Sequence, residues 1–254
     1  MNIEQYLKRI NYDGPLEPSA ESLRQLQRAH LMAVPFENLS IHRGEPIVLE
    51  DEALFKKIVT RKRGGFCYEA NGLFAALLRG LGFRVSMLAA GVADAAASFG
   101  PNFDHMALMV ELEQRWLVDV GFGESFLDPL LLDERGEQVE GTRLFRIDRQ
   151  DDENLILLRN DGDGWQPQYR FGLQRYEYPD YAEMCRYHQT SPESHFTRMR
   201  ICSRVTENGR LTLSDMRLLT TTGIGAQAIK EEKLLENEEQ YAAALRDYFG
   251  LVLD

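Results

Sequence analysis

The chain has 254 residues and a formal net charge of −11, from 29 Lys and Arg against 40 Asp and Glu. The acidic excess lies mainly between residues 87 and 190, and no segment combines a basic face with interleaved aromatic side chains, which argues against nucleic acid and other polyanionic partners. No apolar run approaches the ~18 residues that span a membrane, and the first residues lack the pattern of a signal peptide. Three cysteines without an export signal predict a reducing, cytoplasmic location.

The first third of the chain has the pattern of helices. An amphipathic segment covers residues 3–10, and Ser19 suits the N-cap of a second helix that ends before Pro35. A third helix is predicted to start at or beside Cys67, where apolar residues begin to recur at helical spacing, and to end near Gly80 or Gly82.

The middle of the chain has the pattern of strands separated by turn residues. The predicted strands cover residues 84–90, 106–112, 116–120, 144–148, 154–158 and 168–173. Strands over 198–206 and 210–213 and a terminal helix over 238–248 follow in the last third. This order predicts an α+β fold with boundaries near residues 86 and 190.

Cys67 is the most informative residue of the sequence. It follows two glycines and a phenylalanine, and the glycines allow a close backbone approach that side chains would obstruct. At a helix N-terminus, free N–H groups and the positive end of the helix dipole stabilise a thiolate, which is the reactive form of cysteine. This placement favours a nucleophile over the alternative, a buried structural thiol.

A base for this thiol has to come from five histidines. His105 opens a predicted strand directly after a loop, so the sheet would orient its ring. Asp119 lies inside the apolar run 116–120, where a carboxylate is costly unless it is paired. An odd number of residues in the intervening turn would put both side chains on one sheet face as near-diagonal neighbours, and an even number would put them on opposite faces. With this pair beside it, Cys67 is expected to titrate well below the ~8.5 of a free thiol, as an ion pair with His105.

Five sequence blocks, in order along the chain, together resemble the arylamine N-acetyltransferase family. They are Val-Pro-Phe-Glu-Asn-Leu at 34–39, Arg-Gly-Gly-Phe-Cys-Tyr-Glu-Ala-Asn at 63–71, Asp-His at 104–105, Val-Asp-Val-Gly-Phe-Gly at 118–123 and Ser-Pro-Glu-Ser-His-Phe at 191–196. The Tyr-Phe-Gly-Leu ending at 248–251 is similar to that of bacterial members. The resemblance therefore covers nearly the whole chain.

The resemblance implies an α+β fold of three domains around a papain-like cysteine catalytic core. An N-terminal helical bundle, residues 1–86, would carry the nucleophile. A central antiparallel β-barrel-like domain, residues 87–190, would carry the histidine and the aspartate. Residues 191–254 would form a C-terminal α/β lid.

The resemblance also implies a Cys67–His105–Asp119 triad that acetylates arylamines and arylhydrazines, and the oxygen of N-arylhydroxylamines. Acetyl-CoA would be the co-substrate, an acetyl-cysteine would be the intermediate of a ping-pong reaction, and no metal would take part. The implied substrate-binding residues are Phe36, Phe122, Gly123 and Phe196. The implied members of a structural ion network near the site are Arg9, Glu37 and Arg63.

Other functions remain open at the level of sequence. A cysteine peptidase or a transglutaminase-like enzyme could use the same three residues, and a binding module could retain them as a relic. Cys185, His188, His195 and Cys202 match the spacing of no compact zinc module. CoA itself poses a difficulty, because its phosphates would have to meet backbone donors or local positive charge away from the acidic middle of the chain.

Overall fold

The computed structural model describes residues 1–223 and 225–253, and it begins with helices. They are α1 (Ile3–Arg9), α2 (Ala20–Ala33), α3 (Leu39–His42), α4 (Asp51–Phe55), which continues as a π-helical turn (Lys56–Thr60), and α5 (Cys67–Gly80). The predicted cap of α2 is confirmed, because the Ser19 hydroxyl accepts a hydrogen bond from the Ser22 N–H at 3.1 Å. The first, second and third predicted helices therefore form close to their predicted bounds.

Helix α5 lies at the centre of the core. Its residues from Cys67 to Leu78 are all buried, and the helix packs against the first two strands of the large sheet. Gly72 allows another helix to approach α5 closely, because a Cβ at this position would lie 2.6 Å from the Tyr178 ring. The element that carries Cys67 is thus held on several sides at once.

An antiparallel sheet of eight strands follows the helices. The strands are β2 (Arg84–Val92), β3 (His105–Glu111), β4 (Arg115–Val118), β5 (Leu130–Leu131), β6 (Gln138–Glu140), β7 (Arg143–Arg149), β8 (Asn154–Asn160) and β9 (Trp165–Gly172), in the spatial order β5-β4-β3-β2-β9-β8-β7-β6. The Gln138 side chain on one edge strand donates to the Leu131 carbonyl on the other edge strand at 2.9 Å and accepts from the Leu131 N–H at 2.7 Å. These two hydrogen bonds bring the edges together into a nearly closed barrel.

A second, five-stranded antiparallel sheet occupies the C-terminal part. It contains β1 (Phe36–Glu37), β10 (Ile201–Thr206), β11 (Gly209–Ser214), β12 (Arg217–Thr222) and β13 (Ile229–Leu234), and a 3-10 turn lies at Gly225–Gln227. Helix α8 (Glu238–Phe249) packs on this sheet, whereas α6 (Tyr178–Thr190) packs against α5 and α7 (His195–Arg198) packs against α3 and α6. Because β1 pairs with β10, a strand from the helical segment belongs to the C-terminal sheet. The α+β fold is confirmed, and the three-domain division stays a prediction.

Several elements escaped the sequence analysis, and α6, β12 and β13 are the longest of them. Helix α6 buries only Tyr181, Cys185 and His188, a stripe that is too polar to stand out as an apolar face. Strand β13 has both faces exposed, so it lacks the alternation that marks a half-buried strand, and β12, its neighbour, was missed with it. The predicted strand 116–120 ends at Val118, which leaves Asp119 in the segment that follows.

Within the described residues, no helix is both long and apolar enough to cross a membrane.

Candidate active site

Cys67 and His105 open into one cavity of about 540 Å³. Three aromatic rings, those of Phe36, Phe122 and Phe196, also line it. The structure therefore brings together the proposed nucleophile, the proposed base and the three aromatic residues singled out from the sequence. Their individual roles stay predictions.

The chain around Cys67 is packed too tightly for side chains at the two preceding glycines. A Cβ on Gly64 would lie 2.0 Å from the Pro35 carbonyl oxygen, and a Cβ on Gly65 would lie 2.6 Å from the Glu69 Cβ. The predicted close approach is thus confirmed. Glu69 also accepts a hydrogen bond from the Phe66 N–H at 3.2 Å, which satisfies a donor directly before the helix. The glycines and this cap fix Cys67 as the first residue of α5.

Gly121 permits an equally close approach from the opposite side. A Cβ there would lie 2.8 Å from the Cys67 Cα, so the segment after β4 passes directly over the start of α5. Gly123, two residues later, has a φ of 84°, and a Cβ on it would lie 3.9 Å from the Phe36 ring. Gly123 therefore lies beside an aromatic wall of the cavity, in a conformation that favours glycine.

His105 and Asp119 form a buried hydrogen-bonded pair. The His105 Nε2 lies 2.7 Å from the Asp119 Oδ2, and each residue is only 2% exposed. The turn between β3 and β4 has the odd number of residues, because Glu111 pairs with Arg115 and Val110 pairs with Trp116. This register places the two side chains on the same face, as the odd-turn alternative required.

Asn71 connects this pair to the nucleophile and was not assigned a role from the sequence. It lies one helical turn after Cys67 and is completely buried. Its amide donates to the Asp119 Oδ1 at 2.9 Å and to the Met106 carbonyl at 2.6 Å, and its Oδ1 accepts from the Val120 N–H at 2.9 Å. The i, i+4 spacing from Cys67 is the sequence signal that could have identified it.

Burial raises the pKa of the Cys67 thiol, which is the opposite of the direction predicted from the sequence. A hydrogen bond from the Met106 backbone acts to lower it, while the negative charges of Asp104 and Asp119 raise it further. The helix N-terminus therefore does not produce a thiolate by itself, and the thiol proton needs an acceptor within the cavity.

Glu37 and Arg63 form a buried ion pair, with an Nη2–Oε1 distance of 2.9 Å. Lys57, which the sequence analysis did not single out, extends the pair into a network, because its Nζ lies 3.9 Å from the Glu37 Oε1 and 2.8 Å from the Glu69 Oε1. Arg9 is arranged differently, since its guanidinium donates to the carbonyl oxygens of residues 33 and 58. These charged side chains thus lie around the N-terminal end of α5, whereas Arg9 binds backbone carbonyls instead of a carboxylate.

His188 is a second residue of the cavity that the sequence analysis passed over. Its Nδ1 lies 3.1 Å from the Ser194 Oγ, and its Nε2 lies 3.2 Å from a carboxylate oxygen of Asp104. Its ring also meets the Phe196 ring edge to face, with 5.2 Å between the centroids. His188 therefore connects the loop before His105 to the helix that carries Phe196.

In the part of the chain that is described, no group of three or more His, Cys, Asp or Glu side chains is arranged to hold a metal.

Comparison with known proteins identifies the family to which this chain belongs. A family model described as N-acetyltransferase matches residues 19–254. The arylamine N-acetyltransferase of Escherichia coli is 31% identical over 255 residues, which cover 99% of this chain and 89% of the relative. That of Mycolicibacterium smegmatis is 33% identical over 260 residues, covering 100% of this chain and 93% of the relative.

Solved structures agree with the sequence comparison. The structure of Mycobacterium marinum arylamine N-acetyltransferase in complex with CoA superimposes with a TM-score of 0.90 at 34% identity, covering 98% of this chain and 93% of the other. The fold, the matched length and the identity together place the chain in the arylamine N-acetyltransferase family.

The raised pKa of the Cys67 thiol generates a test with iodoacetamide. With His105 present to take the proton, alkylation should stay nearly constant from about pH 8 down to about pH 6. In His105→Gln the thiol keeps its proton below its raised pKa, so the rate should fall about tenfold for each pH unit. Cys67→Ala supplies the background from other cysteines. Parallel pH profiles for the wild type and His105→Gln would show that His105 is not the proton acceptor.

Proposed function

We propose that this protein transfers the acetyl group of acetyl-CoA to arylamines and arylhydrazines, and to the oxygen of N-arylhydroxylamines. The reaction is ping-pong, with an acetyl-Cys67 intermediate. The observation that carries the proposal is a cysteine and a histidine sharing an aromatic-lined cavity, with the histidine held by a buried aspartate at 2.7 Å. Membership of the family supports the same chemistry.

In the first half-reaction His105 accepts the Cys67 proton and the thiolate attacks the thioester carbonyl of acetyl-CoA. Since Asp119 occupies the Nε2 of His105, the Nδ1 is the ring nitrogen that takes part. Collapse of the tetrahedral intermediate breaks the bond to the CoA sulfur, which takes the proton from His105 as it leaves. Asp119 stabilises the imidazolium while it exists.

The oxyanion of that intermediate needs hydrogen-bond donors. Cys67 is the first residue of α5, and the first N–H groups of a helix have no partner within the helix. The backbone N–H of Cys67 is the donor nearest to the reacting carbon, and the positive end of the helix dipole supports the same charge.

In the second half-reaction the acceptor amine attacks the carbonyl of the acetyl-cysteine and His105 takes the proton from its nitrogen. Collapse of the tetrahedral intermediate breaks the bond to the Cys67 sulfur, which leaves as the thiolate or regains the proton from His105, and releases the N-acetylated product. An arylamine is weakly basic and therefore neutral at pH 7, so an apolar wall suits it better than it suits an alkylammonium ion. Phe36, Phe122 and Phe196 supply that wall. A cavity of about 540 Å³ accommodates one small aromatic acceptor beside the acetyl group.

Intact-mass spectrometry tests the intermediate directly. Incubation with acetyl-CoA should add one acetyl group to the wild type, and an arylamine chase should remove it and yield the acetylarylamine. Cys67→Ala should remain folded and gain no acetyl group, while Cys185→Ala should behave like the wild type. Absence of an acetyl adduct together with hydrolysis of peptide or glutamine amides would favour the cysteine peptidase or transglutaminase-like alternative. Turnover by Cys67→Ala would remove the assignment of the nucleophile.

Phe36 offers a test of the acceptor wall. Phe36→Leu should slow the arylamine half-reaction by roughly tenfold, because a poorer aromatic surface lowers acceptor affinity. Acetylation of Cys67 should change little, since acetyl-CoA presents only a small group to that wall. Single-turnover kinetics separate the two steps. Phe55→Leu, a similarly half-buried phenylalanine on α4, is the matched control. A change confined to the acetylation step would move Phe36 to the CoA side.

A further inference from the structure

The carboxylate of Asp104 lines the cavity of Cys67 and has no part in the proposed chemistry. The other acidic residues of the cavity wall, Asp94 and Glu193, are exposed, and so is Arg198. Asp104 is more enclosed, with 22% of its side chain accessible. Water screens the charges of exposed groups, whereas a charge set into the wall keeps its effect on a bound molecule. Among the described residues of the wall, Asp104 is therefore the carboxylate whose charge an occupant of the cavity feels most.

One of the two oxygens of Asp104 has no hydrogen-bond donor. The Oδ2 accepts a hydrogen bond from the Val92 N–H at 3.3 Å. The Oδ1 lies 3.2 Å from the His188 Nε2, but the ring is not oriented for a hydrogen bond, and this nitrogen is buried without a partner in the described part of the chain. A carboxylate oxygen in a cavity wall binds a donor on a ligand favourably, and a charged donor most of all.

The neighbouring His188 does not cancel the charge of Asp104 when its imidazole is neutral. The Ser194 Oγ accepts a hydrogen bond from the Phe196 N–H at 3.2 Å, so its own proton is free for donation to the His188 Nδ1, 3.1 Å away. A ring nitrogen that accepts a hydrogen bond carries no proton, and such an imidazole is uncharged. His188 in this state supports the wall and leaves Asp104 negative.

The charge of Asp104 also acts on the nucleophile. Together with burial, which has the larger effect, it raises the pKa of the Cys67 thiol. Asp104 therefore works against the thiolate that the first half-reaction requires. A gain in the binding of the second substrate would offset this cost.

The aromatic rings of the cavity indicate which occupant could supply that gain. The centroids of Phe36 and Phe196 lie 6.2 Å apart, and both rings line the cavity together with Asp104. An aryl group is suited to these apolar rings, and a substituent on it can reach the carboxylate in the same wall. A positively charged substituent is attracted there, whereas a second carboxylate is repelled.

We propose that Asp104 makes this cavity selective for arylamine acceptors that carry a positively charged substituent, and that it disfavours acceptors that carry a carboxylate. The inference rests on the proposed function, because it names the acceptor class of the same cavity. The attacking group is unchanged, since an aromatic amine is neutral at pH 7 while an aminomethyl group on the same ring is an ammonium ion.

Three para-substituted anilines of similar shape test the selectivity, namely 4-aminobenzylamine, 4-methylaniline and 4-aminobenzoate. Loss of the acetyl group from acetyl-Cys67 is followed in single turnovers, and the rate with each charged amine is divided by the rate with 4-methylaniline. Comparing these ratios between variants cancels the intrinsic reactivity of the amines. Asp104→Asn should lower the preference for the cationic over the anionic acceptor by about tenfold, because a unit charge is lost from the wall.

Matched variants separate charge from other effects of the substitution. Asp104→Glu keeps the charge and should keep most of the preference, and Asp104→Ser is a second neutral variant that carries the test if Asp104→Asn does not fold. Asp152→Asn removes the same charge from a fully exposed position between β7 and β8, so it should leave the preference as in the wild type.

Charged methanethiosulfonates test the cavity without any acetyl transfer. Each reagent forms a mixed disulfide with the Cys67 sulfur and releases methanesulfinate. The rate with the cationic trimethylammonioethyl reagent is divided by the rate with the anionic sulfonatoethyl reagent, and the same ratio for a small free thiol is the reference. The wild type should favour the cation beyond this reference, and Asp104→Asn should lower the ratio about tenfold. Cys67→Ala supplies the background from the other cysteines.

The two assays distinguish failure of the selectivity from failure of the proposed function. Ratios that are equal in the wild type and Asp104→Asn, with acetyl-Cys67 still formed, would overturn the selectivity and leave the proposed function in place. A methanethiosulfonate ratio that depends on Asp104, in a wild type that forms no acetyl-Cys67, would support the charged wall and reject the proposed function. A preference for cations that appears only in His188→Gln would show that an imidazolium cancels Asp104, which would also overturn the selectivity.

Discussion

The buried Asp119 carboxylate organises the site through the groups that satisfy it. A charge in this position is tolerated only because His105, Asn71 and the Gly121 N–H all bind it, at distances between 2.7 and 2.9 Å. Each partner belongs to a different structural feature, namely β3, helix α5 and the segment that crosses that helix. One carboxylate therefore joins the strand of His105 to the helix of Cys67, and a shift in any of them would remove one of the hydrogen bonds to a buried carboxylate.

The same burial that protects the site also opposes ionisation of the nucleophile. Enclosing Cys67 raises the pKa of its thiol. In the proposed mechanism the same enclosure keeps water away from the acetyl-cysteine thioester. The site can be enclosed and active together only if the proton stays nearby, on a histidine whose positive charge is balanced by Asp119.

Sequence patterns predicted the elements that have a regular apolar period, including α5 and the central strands. Its position after Gly-Gly made Cys67 the candidate nucleophile, and the cost of a carboxylate near an apolar strand made Asp119 the candidate partner of His105; the structure places all three residues near one another, and their roles stay predictions. Whether His105 and Asp119 share a face depended on the length of one turn, which only the strand register settles. The contacts of His188 with Asp104 and Ser194 carry no such local signal, whereas the i, i+4 spacing from Cys67 could have identified Asn71. Burial, which is a property of the whole fold, acts to raise the pKa of Cys67, and the sequence-based expectation of a lowered pKa did not include it.

The most direct test of this account is the ultraviolet absorbance of the Cys67 thiolate in the wild type and in Asp119→Asn at neutral pH. With the proton transferred to a histidine that Asp119 stabilises, the wild type should show a thiolate signal that is absent from Cys67→Ala. Asp119→Asn should lose most of that signal while remaining folded, since an amide cannot stabilise the imidazolium. An equal thiolate signal in Asp119→Asn would contradict the central role given to the buried carboxylate.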